Sequence, residues 1–296
     1  MHLSLKYVKV IVAGMLGSLL SAAAHNADFL QGPNGRLSYV LQVPRGFDKS
    51  RDKCPLVIVM HGIMSGKDVP PMPRFARKLV RQGYAVLRFD FNAQGRSDGD
   101  VLKCTIPTQI ADARAVYDYA RSLPFVSSVV LLGHSQGGVV AGMLAGELAG
   151  AAQTVDSAGP AREPLNTRIA PDALVLLAPG AVLKDYALEG RFLGMTCDPA
   201  DPPEYVQVYW YKFSREYILS AQTLPIYEES ALYQGPVCLV HGSEDTVVPV
   251  KYSDKYNEIY SNCEYTVIPR ENHLFSARPA QSDAVFISFL NRLFPR

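Results

Sequence analysis

The stretch LLGHSQGGVV, Leu131 to Val140, sets a serine between glycines where two sequence patterns meet. Before it, SVVLLG is a continuous apolar run that predicts a buried strand. After it, GGVVAGMLAGELAG spaces small and apolar residues as a helix suited to tight packing on a sheet. Gly133, Ser135 and Gly137 fit G-x-S-x-G in the strand–turn–helix setting that this motif needs. A side chain at either glycine would clash in so tight a turn. The strained backbone then holds the Ser135 hydroxyl above the sheet, beside the N-terminus of the following helix. The competing reading is a plain turn that happens to contain a serine.

Outward from this turn, extended and helical patterns alternate. RLSYVLQV, PLVIVM, YAVLRFDF, ALVLLAP, PVCLVHG and EYTVIP read as strands. PRFARKLVRQG, closed by Gly83, TQIADARAVYDYARSL and the C-terminal QSDAVFISFLNRLF read as helices. Such alternation with apolar strands predicts an α/β fold, a mostly parallel sheet with helices on both faces. Two segments break the rhythm. Ala151 to Ile169 is rich in Ala, Pro and polar residues and reads as a surface insertion. Residues from about Ala181 to Tyr233 lack a buried-strand pattern but carry many aromatics, and read as a lid inserted between two sheet strands.

A serine hydroxyl is a weak nucleophile until a neighbouring base takes its proton. On this architecture the partners follow in the order serine, acid, histidine. Of six histidines, His2 and His25 belong to the N-terminal leader region, and His61, His134 and His241 precede any suitable acid. His273, after the last strand, is the candidate left. Asp245, in the loop after PVCLV, is the candidate acid, with Glu244 its competitor; a following turn closed by Pro249 favours Asp245. The oxyanion requires preorganised N–H donors. The expected ones are the amides of Gln136, next after the serine, and of Ile63, in HGIMSG. His61 is expected to brace that loop. The bland reading of His273 is an ordinary loop residue.

The 296 residues are 48% hydrophobic and 19% charged, with formal net charge +1. That balance, without a Lys/Arg run, gives no support to a nucleic-acid partner. Lys6 and Lys9, the apolar run Val10–Leu20 and the small residues Ser21–Ala24 form a signal-peptide pattern over 1–24. A membrane anchor or buried first helix is the alternative, but the run is short for a span. The expectation is an exported protein with no stable membrane anchor, periplasmic or secreted, whose catalytic domain occupies 25–296. Five cysteines leave at least one unpaired, and Cys238 lies in an apolar run as a buried thiol. No C-x-x-C pair or His-rich cluster points to a metal, and the chemistry calls for no cofactor.

With these pieces placed, the chain resembles the α/β-hydrolase superfamily, and within it the feruloyl (cinnamoyl) esterases of gut and rumen bacteria. The resemblance runs from about Pro55 to Leu293. FDFNAQGRSDG, GHSQGGVVAGMLAG, LLAPGAVLKDYALEG, LPIYEESA and PVCLVHGSEDTVVP carry it. It implies an α/β-hydrolase fold with a small lid and a cofactor-free serine esterase releasing hydroxycinnamic acids from plant cell-wall esters. Ser135, Asp245 and His273 match its triad, Ile63 and Gln136 its oxyanion positions, and Tyr217 a lid tyrosine that meets the substrate's phenol. Relatives tend to carry an aspartate directly before ALEG. Here Tyr186 stands there, with Asp185 one residue further back, so both are candidates for substrate contact.

The lid run YVQVYWYKF adds Trp210 and four other rings that could stack on a planar acid, or merely fill the lid's own core. A Cys104–Cys197 disulfide is a further possibility, tethering lid to core. The competing functions are a general short-chain acyl esterase or serine peptidase using the same three residues, and a non-catalytic binding protein on this fold.

Overall fold

The computed structural model describes residues 28–157 and 170–295, with side chains from 152 to 157 outside that description. The 1–24 leader pattern therefore lies outside the described residues. No described helix is long and apolar enough to cross a membrane.

Eight strands form one sheet in the order β1-β2-β4-β3-β5-β6-β11-β12. They are β1 (Asp28–Gly32), β2 (Gly35–Gln42), β3 (Cys54–Met60), β4 (Ala85–Phe89), β5 (Val126–His134), β6 (Ala173–Leu177), β11 (Val237–Gly242) and β12 (Cys263–Ile268). The β1–β2 and β2–β4 pairs are antiparallel and all others parallel. Crossover helices connect the parallel strands: α1 (Met72–Arg81), α2 (Ile106–Ser122), α3 (Gln136–Ser157), and later α7 (Lys251–Ile259), with α8 (Pro279–Leu293) after the last strand.

The strands are apolar throughout because both faces are covered. Leu56, Ile58 and Met60 of β3, with Leu131 of β5 and Leu176 of β6, point into the core shared with α2 and α3. Their alternates Val57, Val59, Val130, Leu132 and Val175 pack with Phe75 of α1 and Phe286 of α8 on the other face. Period-2 alternation thus feeds two cores from one set of strands. The edge strands β1 and β12 are the exceptions, each with all but its last residue half-buried or exposed.

Between β6 and β11 the chain leaves the sheet for residues 178–236. This segment holds α4 (Val182–Glu189), the strand pairs β7 (Arg191–Phe192) with β8 (Met195–Thr196) and β9 (Tyr205–Val208) with β10 (Tyr211–Ser214), then α5 (Arg215–Gln222) and α6 (Ile226–Ser230). The break in strand rhythm near Ala181 marks its start. One expectation needs correction: Ala151 to Ile169 is not an insertion from its first residue, because α3 continues to Ser157. Ala151, Ala152 and Gln153 are strong helix formers and extend the preceding helix. The rest of that stretch lies outside the described residues.

Candidate active site

At the carboxyl end of β5, Ser135 adopts φ of 56°, a left-handed conformation that disfavours side chains. The flanking glycines follow from collisions. A Cβ at Gly133 would stand 2.2 Å from the Gly137 carbonyl oxygen, and one at Gly137 would stand 2.5 Å from the carbonyl oxygens of Met60 and His61. The turn is pinned further by the Ser135 amide donating to Leu177 O at 3.0 Å, and by the Gly180 amide donating to Ser135 O at 2.8 Å. A non-glycine residue held this way stores roughly 1–3 kcal/mol. Its neighbours on β3 and β6 over-determine it.

The His273 Nε2 lies 2.9 Å from Ser135 Oγ, and its Nδ1 lies 2.6 Å from Asp245 Oδ2. With the carboxylate accepting from Nδ1–H, Nε2 is left to accept from the serine hydroxyl. Asp245 Oδ1 accepts from the amides of Val247 and Val248, at 2.8 and 2.9 Å, so the turn that follows aims the other oxygen at His273. Glu244, the competing acid, is exposed to solvent.

His241 also reaches Asp245. Its Nε2 is 2.8 Å from Val248 O and 3.2 Å from Asp245 Oδ2, two acceptors, so the proton sits there. Its Nδ1 then accepts from the Ser253 hydroxyl at 2.6 Å. Burial by itself would push the Asp245 carboxyl up. The neighbouring His273 and the hydrogen bonds from both histidines outweigh it and hold the carboxyl below its ordinary range.

The loop carrying His273 is organised by groups with no signature in the sequence. Glu271, fully buried, accepts from the amides of Asn272, Ala277 and Arg278 at 2.9 Å each and from Ser282 Oγ at 2.6 Å. Arg74 of α1 donates to Phe275 O at 2.7 Å. His134, the residue before the serine, donates from Nε2 to His273 O at 2.8 Å. Burial, reinforced by His273, lowers the His134 imidazole to about 3, so it stays neutral and serves as a fixed donor. The signal available for Glu271 was only a carboxylate two residues from the candidate base.

Ile63 follows Gly62, where a Cβ would come within 3.0 Å of Ser135 Cβ; the loop after β3 therefore runs directly past the serine. Among the described residues no acceptor is found for the amides of Ile63 or Gln136. Gln136 directly follows Ser135 and Ile63 follows Gly62 beside it, so both amides lie on backbone that borders the serine. His61 does brace this loop, donating from Nδ1 to Gly62 O at 2.8 Å while its Nε2 accepts from the Phe91 amide at 3.3 Å. A buried ion pair absent from the sequence reading anchors the same loop: Lys67 Nζ meets Asp90 Oδ2 at 2.7 Å, and Asp90 Oδ1 accepts from the Lys67 amide.

The inserted segment brings some candidates to the serine and not others. Tyr217 of α5 is buried and its hydroxyl donates to Gln136 Oε1 at 2.7 Å. Tyr186 of α4 is half-buried and close enough to Asp245 for that charge to act on its phenol, whose pKa burial raises. Asp185 is already engaged, its carboxylate accepting from the Tyr252 hydroxyl of α7. Trp210 sits on the two-residue turn between β9 and β10, 46% exposed, its ring tilted on that of Tyr209. Tyr211 and Phe213 are instead buried with Phe192 and Tyr217, filling the segment's own core. Cys104 and Cys197 are not bonded to each other. The Cys104 sulfur is buried and accepts from Gln94 and Gln109, whereas Cys197 is half-buried beside Gly190.

Comparison with known proteins identifies the fold as that of the alpha/beta hydrolases. A family model described as alpha/beta hydrolase family matches residues 56–284. The chain is similar to a solved structure of Est1E from Butyrivibrio proteoclasticus with ferulic acid bound: TM-score 0.77, 28% identity, 90% of this chain and 99% of that one. A second Est1E structure gives TM-score 0.74 at 26% identity, covering 90% and 98%. Among characterised sequences, human Protein ABHD12B is 24% identical over 212 residues, 72% of this chain and 51% of that protein. Quorum-quenching protein AidA of Acinetobacter baumannii is 36% identical over 87 residues, 28% of each. The chain thus matches about half, or less, of the length of these two relatives.

Proposed function

From the premise that this chain belongs to the alpha/beta hydrolase family, we propose that it is a serine carboxylic ester hydrolase releasing ferulic or other hydroxycinnamic acids from plant cell-wall esters. The observation that carries the reading is the unbroken line Ser135–His273–Asp245 at the carboxyl edge of the sheet. Likeness to the ferulate-bound Est1E supports the choice of acyl group.

In this mechanism the Ser135 hydroxyl attacks the ester carbonyl while His273 Nε2 takes its proton. Asp245 stabilises the imidazolium and holds its tautomer. The carbonyl oxygen, now negative, is received by the amides of Ile63 and Gln136, each donor of this kind contributing about 10²–10³ in rate. His273 returns the proton to the leaving alcohol. Water, deprotonated by the same imidazole, then attacks the acyl-enzyme, releases the acid and restores the serine. The inserted segment acts as a lid over the acyl group, and Tyr186 faces the substrate from it. Export follows from the leader pattern, with a small or oligosaccharide-linked aromatic ester as the partner. The N-terminus of the protein recovered outside the cytoplasm tests export: it should begin at His25.

A second reading, a general acyl esterase, is favoured by one observation. The Tyr217 hydroxyl and the Asp185 carboxylate, both candidates for meeting a phenol, are already engaged by Gln136 and Tyr252. Rates on methyl ferulate and on an aliphatic methyl ester of similar size separate the two. The proposal expects kcat/KM to favour the ferulate at least about tenfold, which corresponds to about 1.4 kcal/mol. Equal rates would leave the general esterase.

A further inference from the structure

Gln136 contributes more than its backbone amide. Its side chain is buried and held from two opposite directions. The Tyr217 hydroxyl donates to its Oε1 at 2.7 Å, and its Nε2 donates to Gln109 Oε1 at 2.8 Å. Gln109, on α2, passes the chain on: its Nε2 donates to Cys104 Sγ at 3.5 Å, and Gln94 donates to the same sulfur at 3.6 Å. Tyr211 from β10 is buried near this sulfur too, close enough for each to act on the other's proton affinity, while its hydroxyl makes no hydrogen bond among the described residues. Tyr217, Gln136, Gln109 and Cys104 are each at most 3% exposed. The inserted segment therefore touches the buried chain at two tyrosines, and one of those contacts falls on the residue next to the nucleophile.

We infer that Tyr217 and Gln109 are positioning residues that clamp the Gln136 side chain, so that the seated lid fixes the amide that receives the oxyanion. The inference rests on the ester-hydrolase reading and assigns Tyr217 a different task from reading a phenol. The physical basis is the low freedom of a buried amide satisfied at both ends. Removing either partner leaves an unpaired polar group beside the nucleophile. The Gln136 side chain then loses one of its two restraints, and the orientation of its amide within the pinned turn loosens by a small amount. An oxyanion donor works by being in place beforehand, so loss of orientation appears in kcat rather than in substrate binding. The clamp acts on any acyl group, because the oxyanion is common to all of them.

The test measures kcat and KM for Tyr217→Phe, Gln109→Leu, their double variant and Gln109→Glu. The substrates are methyl p-coumarate, methyl cinnamate and 4-nitrophenyl acetate. Tyr217→Phe and Gln109→Leu are expected to lower kcat about tenfold on all three esters, with KM within about twofold of the parent. The double variant should fall no further than the worse single one. Gln109→Glu, which keeps an acceptor for Gln136 Nε2, should recover most of the loss.

A loss confined to methyl p-coumarate in Tyr217→Phe would make that tyrosine a phenol reader and end the proposal. Multiplying losses in the double variant, or an unchanged kcat in Gln109→Leu, would end it as well. Thermal melting confirms that each variant is folded, and Gln109→Met replaces Gln109→Leu if the latter is not. Failure of the ester-hydrolase reading looks different: the parent protein would turn over none of the three esters.

Discussion

The carboxyl edge of the sheet and the segment inserted after β6 meet at Ser135, and different forces hold them. At the edge, backbone collisions at Gly133 and Gly137 and a saturated buried carboxylate, Glu271, leave the nucleophile turn and the His273 loop no alternative arrangement. The inserted segment rests on an aromatic core of Phe192, Tyr211, Phe213 and Tyr217, and touches the serine's neighbour through one hydroxyl. Rigid geometry makes a nucleophile. On the proposed reading the inserted segment covers the substrate, and a softer, aromatic attachment suits a cover that must open and close.

That contrast sets the order of expected effects. Ser135→Ala should lower kcat by about 10⁵ or more, and Asp245→Asn by about 10⁴, with melting temperatures close to the parent's. Steady-state kinetics with a chromogenic ester checks both. If Asp245→Asn kept near-full activity, the acid would lie elsewhere and the edge would not be the rigid partner described. Gly137→Ala probes the same rigidity through folding. With a Cβ 2.5 Å from two carbonyl oxygens, the turn must shift, at a cost of about 3 kcal/mol or more, visible in chemical denaturation.

Asp112 of α2 provides a pH-dependent test of the packing behind the site. Its side chain is fully buried, one oxygen accepts from the Asn92 amide at 2.8 Å, and burial raises its pKa to about 7. A folded-state value above the unfolded one means that the protonated form is preferred in the fold. This stability is complete below about pH 4 and is lost as pH rises through 7. Asp112→Asn, neutral at every pH, should therefore gain on the parent by roughly 1–3 kcal/mol more at pH 8 than at pH 5. An equal difference at the two pH values would mean that the carboxyl is charged and satisfied throughout.

The smallest effect belongs to the hairpin tip. Tyr209 has φ of 53° and is 52% exposed, so its ring supports little while its backbone is strained. Tyr209→Gly should relieve that strain and raise stability by about 0.5–1 kcal/mol, with kcat unchanged. Replacing the buried ring of Phe213 by alanine should instead cost about 3–5 kcal/mol, showing which half of the aromatic run builds the segment.

The same division explains what the sequence disclosed. Ser135 and Asp245 could be found because each follows a buried apolar strand, His273 because it is the histidine that follows the last strand, and strand ends on a parallel sheet converge. The helix from Gln136 and the strands on either side of the insertion carry clear periodicities, and the structure has them. Four short strands and three helices of the inserted segment carried no such signal. Elements of two to eight residues are too brief for periodicity to emerge. Strand β1 was missed for the same reason, and α3 was closed too early by reading composition in place of helix propensity. Glu271, His134, Gln109 and the Lys67–Asp90 pair stayed hidden because their partners are remote in the chain, or are backbone amides that any residue supplies. The exposed place of Trp210 on a hairpin turn follows from the pairing of β9 with β10, which the aromatic run YVQVYWYKF does not disclose.

The most direct test of the central claim is to titrate the protein with a fluorophosphonate, map the adduct by peptide mass spectrometry, and follow ester turnover in step. One adduct per molecule on Ser135, with activity falling in proportion and no labelling in His273→Ala, is the predicted result. Undiminished turnover by protein fully labelled at Ser135 would contradict it.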